Sequence, residues 1–152
     1  MPPVVRLTEA ELRAWQAFLH AHHEVIGRLD EELQHAHGVT FAEYDVLLRL
    51  ARAPGRALRM GDLAARVLLS PSGITRLVER LVARGLLDRD PDPMDRRAAL
   101  ATLTDEGLRL IRAAARTHVR GIREHFSGQL SGPELRAVAS ALERIVGPHV
   151  PH

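Results

Sequence analysis

Residues 60–103 decide the fold of this chain, and they read MGDLAARVLLSPSGITRLVERLVARGLLDRDPDPMDRRAALATL. The apolar residues of the first part recur at the spacing of one helix face: Met60, Leu63, Ala64, Val67 and Leu68. This spacing predicts a short supporting helix with one buried side. Ser70 then offers a side-chain cap, and Pro71 suits a first helical position, where its missing N–H costs nothing. A second helix is therefore predicted to begin at Pro71.

The second helix has two unlike faces. Its apolar residues fall on one side: Ile74, Leu77, Val78, Leu81 and Val82. The other side carries hydroxyls and charges: Ser72, Thr75, Arg76, Glu79 and Arg80. Short hydroxyls and guanidiniums reach base edges and phosphates when a helix lies in a major groove. We therefore predict a recognition helix, in which Glu79 either accepts from a cytosine amine or pairs with Arg76 or Arg80.

A hairpin is predicted to follow this helix. Gly85 suits the left-handed position that ends a helix, and residues 86–89 and 98–103 have the composition of two short strands. The loop between them, residues 90–97, contains two prolines and the tip Asp95-Arg96-Arg97. Such a loop is typical of a wing that brings Arg96 or Arg97 to a minor groove. The alternative is an ordinary packed module with solvated surface arginines, but the capped helix, the polar face and the arginine loop together favour DNA binding.

Long amphipathic helices are predicted on both sides of this segment. Thr8 and Glu11 form a capping-box pattern, and Gly38 is a suitable stop. Between them an apolar stripe recurs in steps of three and four: Leu12, Trp15, Leu19, His22, Ile26, Leu29 and Leu33. A second helix is predicted to open at Thr104, with acidic residues in its first turn. A third is predicted to start at Ser131, with Glu134 three residues on.

These terminal helices carry more apolar edge than a small module can cover. We expect the surplus to be buried against a second copy, which makes the protein a homodimer. Two-fold pairing would place two recognition helices about one helical turn of DNA apart, roughly 34 Å, on a pseudo-palindrome. The rival is a helical dimerisation or interaction protein that binds no nucleic acid. That rival predicts helices without a wing.

The positive charge is concentrated on the predicted DNA-binding segment. The net charge of the chain is only +2. Residues 49–97 hold 11 arginines and six acidic residues, a net charge of +5, whereas the remainder has a net charge of −3. A basic segment in a nearly neutral chain is expected of a protein whose partner is a phosphate backbone.

The chain resembles the MarR family of bacterial transcriptional regulators. The residues that carry the resemblance are Glu43 to Leu50, Asp62-Leu63-Ala64, Ser72 to Leu81, Gly85-Leu86, Asp95-Arg96-Arg97 and Leu103-Thr104-Asp105-Glu106-Gly107. The resemblance covers essentially the whole chain and implies a mainly α fold: a winged helix-turn-helix with a small β-hairpin wing and long terminal dimerisation helices. We expect a single domain over residues 1–152, with a DNA-binding lobe at 41–104 and dimerisation helices at 8–38 and 104–147.

The resemblance also implies a function. It implies a homodimer that binds double-stranded DNA and represses or activates genes, and we expect a repressor here. It also implies that a small-molecule effector releases the dimer from DNA. In such proteins the wing aspartate orients a wing arginine, so Asp95 would hold Arg97. The predicted DNA-binding residues are Ser70, Ser72, Thr75, Arg76, Arg80, Asp95, Arg96 and Arg97.

The effector pocket of the family lies between the dimerisation helices and the DNA-binding lobe. Trp15 and His22, on the apolar stripe of the first helix, are the candidate residues for a small aromatic or anionic ligand. The alternative is that both are core residues, with His22 hydrogen-bonded.

We predict neither an enzyme nor a cofactor. The nine histidines invite a metal interpretation and leave a metal-responsive regulator as an alternative. However, His23-Glu24 opens a zincin-like motif that fails at Gly27, and the pairs His118/His125 and His35/His37 are those expected of solvated helix surfaces. No metal site is therefore predicted. Cysteine is absent, and since no apolar run or signal-like N-terminus is found, we expect a cytoplasmic protein without a membrane partner.

Overall fold

The computed structural model describes residues 6–67 and 71–147, which form six α-helices, two short 3-10 helices (Pro54–Arg56 and Ser127–Gln129) and one small sheet. The helices are α1 (Glu9–His37), α2 (Phe41–Arg52), α3 (Met60–Val67), α4 (Pro71–Ala83), α5 (Asp105–His125) and α6 (Gly132–Val146). The strands are β1 (Ala57–Arg59), β2 (Leu87–Pro91) and β3 (Ala99–Leu103). None of the described helices is long and apolar enough to cross a membrane. The expected mainly α fold with a hairpin wing is confirmed.

Polar caps define where the long helices start. At α1, Thr8 N donates to Glu11 Oε2 at 2.7 Å, and Glu11 N donates back to Thr8 Oγ1 at 3.2 Å. Ser131 and Glu134 form the same reciprocal arrangement at α6. Each capping box pairs two of the backbone N–H groups that a helix start leaves without intrahelical partners. Both predicted starts are therefore confirmed to within a residue.

The sheet is antiparallel, with strand order β1-β3-β2. The predicted hairpin is present, and its second strand begins at Ala99, where it pairs with Pro91. Strand β1 was missed by the sequence analysis: Ala57, Leu58 and Arg59 pair with Thr102, Ala101 and Leu100. A three-residue strand has no alternation long enough to recognise, and its pairing depends on a segment more than 40 residues away.

The chain divides into two units, one of which is Asp30–His118. It contains the whole of the lobe predicted at residues 41–104. It also includes the last turns of α1 and the first part of α5, and there His37 Nε2 lies 2.8 Å from Thr117 Oγ1. Its core is a continuous apolar cluster to which α2, α3, α4, the sheet and α5 all contribute, including Leu47, Leu63, Leu81 and Ile111.

Helix α4 buries the predicted face, with one exception. Ile74, Leu77, Val78 and Leu81 are at most 3% exposed. Val82, predicted to be buried, is 37% exposed. At 100° per residue, position 82 lies about 90° from the centre of the stripe that the other four form. The helix thus keeps nearly half of its circumference outside the core.

The second unit comprises the terminal segments, up to Leu29 and from Val119 onward. Helix α6 has no buried residue. Large apolar side chains remain exposed throughout this unit: Leu7, Leu12, Trp15, Phe18, Leu19, Val119, Phe126, Leu142, Ile145 and Val146. The apolar stripe predicted for α1 is therefore largely uncovered in the single chain over its first half.

Candidate nucleic-acid interface

The outward side of α4 carries the predicted polar residues. Ser72, Arg76, Glu79 and Arg80 are exposed and Thr75 is half-buried. Since the opposite side of α4 lies in the core, these side chains share the solvent face of one helix. Ser70, also predicted to bind DNA, lies outside the described residues.

Two arginines, one in the last turn of α4 and one directly after the helix, contact one carboxylate. Arg80 Nε lies 3.5 Å from Glu43 Oε1, and Arg84 Nη1 lies 3.9 Å from Glu43 Oε2. Arg84 Nη1 also donates to the carbonyl oxygen of Gly38 at 2.8 Å. The Arg80 side chain nevertheless stays 58% exposed, so its guanidinium is held on one side and open to solvent on the other.

Glu79 has a partner that the sequence did not indicate. Its Oε1 lies 3.9 Å from Arg89 Nη1 of strand β2, instead of pairing with Arg76 or Arg80. Both side chains are partly exposed, so the energetic contribution of the pair is small. Its significance is geometric, because it connects the solvent face of α4 with the first strand of the hairpin.

The wing is organised around Asp92, which is only 6% exposed. Its carboxylate accepts a hydrogen bond from Met94 N at 2.9 Å and another from Arg59 Nε at 2.6 Å. The Met94 amide foremost, with Arg59 adding to it, holds the pKa of Asp92 below its ordinary value although burial opposes this. Sequence analysis missed this residue. The signal was the Asp92-Pro93 pair, since an Asp side chain commonly bonds the amide two residues on.

The tip of the wing has the predicted arginines on its surface. Asp95 Oδ1 accepts a hydrogen bond from the main-chain N of Arg97 at 3.0 Å. Asp95 therefore fixes the backbone that presents Arg97. Arg96 and Arg97 are exposed, and together with Arg89 they line an open cleft of about 350 Å³ beside the hairpin. Asp90 is the acidic residue in the same lining. Three arginines against one aspartate leave the cleft with a net positive lining, which suits an anion.

The hairpin returns to the end of α4 through a tight junction at the start of α5. Thr104 N donates to Leu86 O at 3.1 Å. The Thr104 hydroxyl shares its single proton between Gly85 O at 2.7 Å and Leu86 O at 3.0 Å. Gly107 N donates to Thr104 Oγ1 at 3.0 Å. A Cβ on Gly107 would lie 2.3 Å from Leu86 O. This close approach explains why the motif Leu103-Thr104-Asp105-Glu106-Gly107 ends in glycine.

The candidate effector residues lie on α1. Trp15 is 53% exposed, and His22 is exposed as well. Phe18 lies between them, with ring centroids 6.1 Å from Trp15 and 6.4 Å from His22. Trp15 and His22 are therefore not buried in the core of the single chain, which was the alternative to a ligand contact.

His118 is not the solvated surface residue that the sequence analysis predicted. Its ring lies 4.5 Å from that of Tyr44 and 5.8 Å from that of Phe41, measured between centroids. Its Nδ1 is buried and has no hydrogen-bond partner among the described residues. Burial lowers the pKa of His118, against a smaller opposing effect of the Asp45 carboxylate. The spacing from Ile111 and Ala114, both buried, was the signal that could have placed this residue inward.

Comparison with known proteins agrees with this geometry. The sequence pattern of the MarR family matches residues 37–98. The crystal structure of AbsC, a MarR family transcriptional regulator from Streptomyces coelicolor, is similar, with 31% identity and a TM-score of 0.88 over 94% of this chain and 96% of that one. Sco3205, a MarR family regulator of the same organism in complex with DNA, has 29% identity and a TM-score of 0.89 over 96% of this chain and 91% of that one.

A third structure was determined with a ligand. The PcaV transcriptional regulator from Streptomyces coelicolor, in complex with its natural ligand, shares 30% identity with a TM-score of 0.72, over 95% of this chain and 96% of that one. The proteins that this chain resembles are transcriptional regulators and not enzymes. The sequence motifs, the winged lobe and these likenesses agree, and the chain is a member of the MarR family of transcriptional regulators.

Proposed function

We propose that the protein is a sequence-specific regulator that binds double-stranded DNA, with α4 in the major groove and the wing at the neighbouring minor groove. The observation that carries this proposal is the contact between Glu79 and Arg89. Through it the polar face of α4 adjoins the hairpin that bears Arg96 and Arg97 in the same unit. One duplex can then meet both elements.

The residues divide by the part of DNA that their chemistry suits. Ser72, Thr75 and Arg76 on α4 are assigned to base edges and nearby phosphates. Arg80, held by Glu43, is assigned to a phosphate. Ser70 remains part of the proposed interface.

The wing contributes electrostatics more than base recognition. Arg96 and Arg97 are assigned to the minor groove and its phosphates, and Asp95 to holding the backbone that carries them. Arginine suits this place because the narrow minor groove concentrates negative potential.

We propose that the protein acts as a homodimer through its terminal unit. Exposed apolar patches of this extent are unusual on monomers, and helix α6 buries none of its residues in the single chain. Pairing of two copies would cover the stripe that contains Leu12, Trp15 and Leu19. A closed two-fold pair also matches a pseudo-palindromic operator.

We further propose that the dimer is a repressor released by a small aromatic or anionic ligand. The ligand-bound PcaV structure supports an effector, and Trp15 and His22 are the proposed contacts. An aromatic surface beside a titratable ring can hold such a ligand through stacking and one hydrogen bond.

The test is selection of an operator from a randomised duplex library, followed by titration at fixed salt and by sedimentation. We expect an inverted repeat with half-sites about one helical turn apart, bound by a species of twice the 16.8 kDa chain mass. No enrichment of any sequence would overturn the DNA-binding proposal and favour the helical interaction protein. A folded monomer at low micromolar concentration would overturn the dimer.

A further inference from the structure

One carboxylate lies where three segments of the winged unit meet. Glu43 is the third residue of α2 and is 6% exposed. Its Oε2 accepts a hydrogen bond from Thr40 N at 2.9 Å, which completes a capping box. A cap of this kind accounts for a polar residue here, since either glutamate or glutamine serves at this position. It does not account for the charge.

The charge is accounted for by two arginines at and just beyond the end of α4. Arg80 in the last turn of α4 and Arg84, the residue that follows the helix, place their guanidiniums 3.5 and 3.9 Å from the two carboxylate oxygens of Glu43. A nearly buried carboxylate requires a compensating charge or full hydrogen bonding. Both arginines keep substantial exposure, 58% and 39%, so each could be solvated elsewhere at little cost. The carboxylate has no such freedom, and its position therefore determines where the guanidiniums lie.

Arg84 extends this connection to the turn that precedes α2. Its Nη1 donates to Gly38 O at 2.8 Å, and Gly38 is the residue with φ of +67° that ends α1. On the other side of the same turn, Asp30 Oδ1 accepts from Phe41 N at 2.6 Å. The turn is thus fixed to α1 by one aspartate and to the end of α4 by one arginine.

We propose that Glu43 is a positioning residue for DNA recognition. By pairing with Arg80 and Arg84 it fixes the C-terminal half of α4 against the turn between α1 and α2, and it holds the Arg80 guanidinium where one edge remains open to a phosphate. This rests on the DNA-binding function proposed above. A helix fixed at this end enters the major groove at one angle, which favours the operator over other sequences.

The test uses Glu43→Gln, which retains a hydrogen-bond acceptor for Thr40 N and removes the charge. The matched control is Thr40→Ala, which removes the cap hydroxyl and leaves both ion pairs. Each protein is titrated with the operator selected by the wild-type protein and with a random duplex of equal length, over a range of salt. Helical content and oligomeric state are measured in parallel.

For Glu43→Gln we expect affinity for the operator to fall about tenfold while affinity for the random duplex changes less than about twofold, because no phosphate contact is removed. For Thr40→Ala we expect a lower melting temperature and an unchanged ratio of the two affinities. The positioning role would be overturned if Glu43→Gln left the ratio of operator affinity to random-duplex affinity unchanged. It would also be overturned if Glu43→Gln and Thr40→Ala lowered both affinities equally. A wild-type protein that does not distinguish the duplexes would instead overturn the DNA-binding proposal, and this inference with it.

A second variant serves if Glu43→Gln folds poorly. Arg84→Ala leaves the capping box and the Arg80 pair in place and removes the Arg84 contacts to Glu43 and Gly38 O. We expect it to lower the affinity ratio in the same direction, and the double variant Glu43→Gln/Arg84→Ala to lose less than the sum of the two single losses. Additive losses would show that the two side chains act separately and would contradict the proposal.

Discussion

Replacing Gly107 by alanine is expected to destabilise the winged unit by about 1–3 kcal/mol. The new Cβ would lie 2.3 Å from Leu86 O and 2.5 Å from a methyl carbon of Leu103. Backbone contacts of this kind require about 3.0 Å, so the carbonyl must move by roughly 0.7 Å. Such overpacking costs about 1–3 kcal/mol. The shift also weakens the hydrogen bond from Thr104 N to that oxygen, worth about 0.5–1.5 kcal/mol.

The higher helix propensity of alanine offsets this destabilisation by about 1 kcal/mol. At about 2–4 °C per kcal/mol for a chain of this size, the melting temperature should fall by roughly 6 °C. The assay is urea and thermal unfolding at one fixed protomer concentration, because dimerisation makes both midpoints concentration-dependent.

Gly61→Ala is the matched control, since a Cβ there meets nothing within 4 Å. Helix α3 should gain a few tenths to about 1 kcal/mol from this change. If Gly107→Ala unfolded at the same urea concentration as Gly61→Ala, the steric account of the junction would be refuted.

Three further outcomes are expected. The double variant Arg96→Ala/Arg97→Ala should weaken DNA binding with helicity unchanged. The slope of log affinity against log salt concentration should fall by about one unit per lost phosphate contact. Unaltered affinity at fixed salt would show that the wing does not contribute to binding. Arg76→Ala should change the preferred operator and cost about 1–3 kcal/mol of discrimination, which library selection measures, whereas a uniform loss would contradict base recognition. For His118, the lowered pKa means that the unfolded chain takes up the proton first. The contribution of His118 to the free energy of unfolding should be fully present above the ordinary pKa of 6.5. It should be lost as the pH falls through the pKa of His118 in the folded protein. His118→Gln should unfold with less pH dependence in urea series, and equal dependence would exclude this ring as the cause.

Local features of the sequence predicted most of the helices. The start of α1 is predicted by Thr8 and Glu11, and the start of α6 by Ser131 and Glu134. The end of α1 is predicted by Gly38, whose φ is positive. These signals depend on neighbouring residues alone, so they can be recognised without knowledge of the fold.

Contacts between distant segments could not be predicted in the same way. Arg59 and Asp92 are 33 residues apart, and Glu43 is 37 and 41 positions from its two arginines. Arginines and acidic residues are abundant in this segment, so charge patterning allows many pairings. Only the folded chain selects among them. For the same reason the sequence suggested two wrong partners for Glu79, both on its own helix.

Met94 is 88% exposed next to the arginines of the wing tip. An exposed thioether takes up one oxygen atom from peroxide and becomes a sulfoxide, and the chain has three methionines and no cysteine to compete for the oxidant. The oxidation rate of this side chain, followed by mass spectrometry, therefore gives a footprint of the wing tip in the unlabelled protein. Comparing that rate with and without operator would report the occupancy of the wing separately from the affinity of the whole protein.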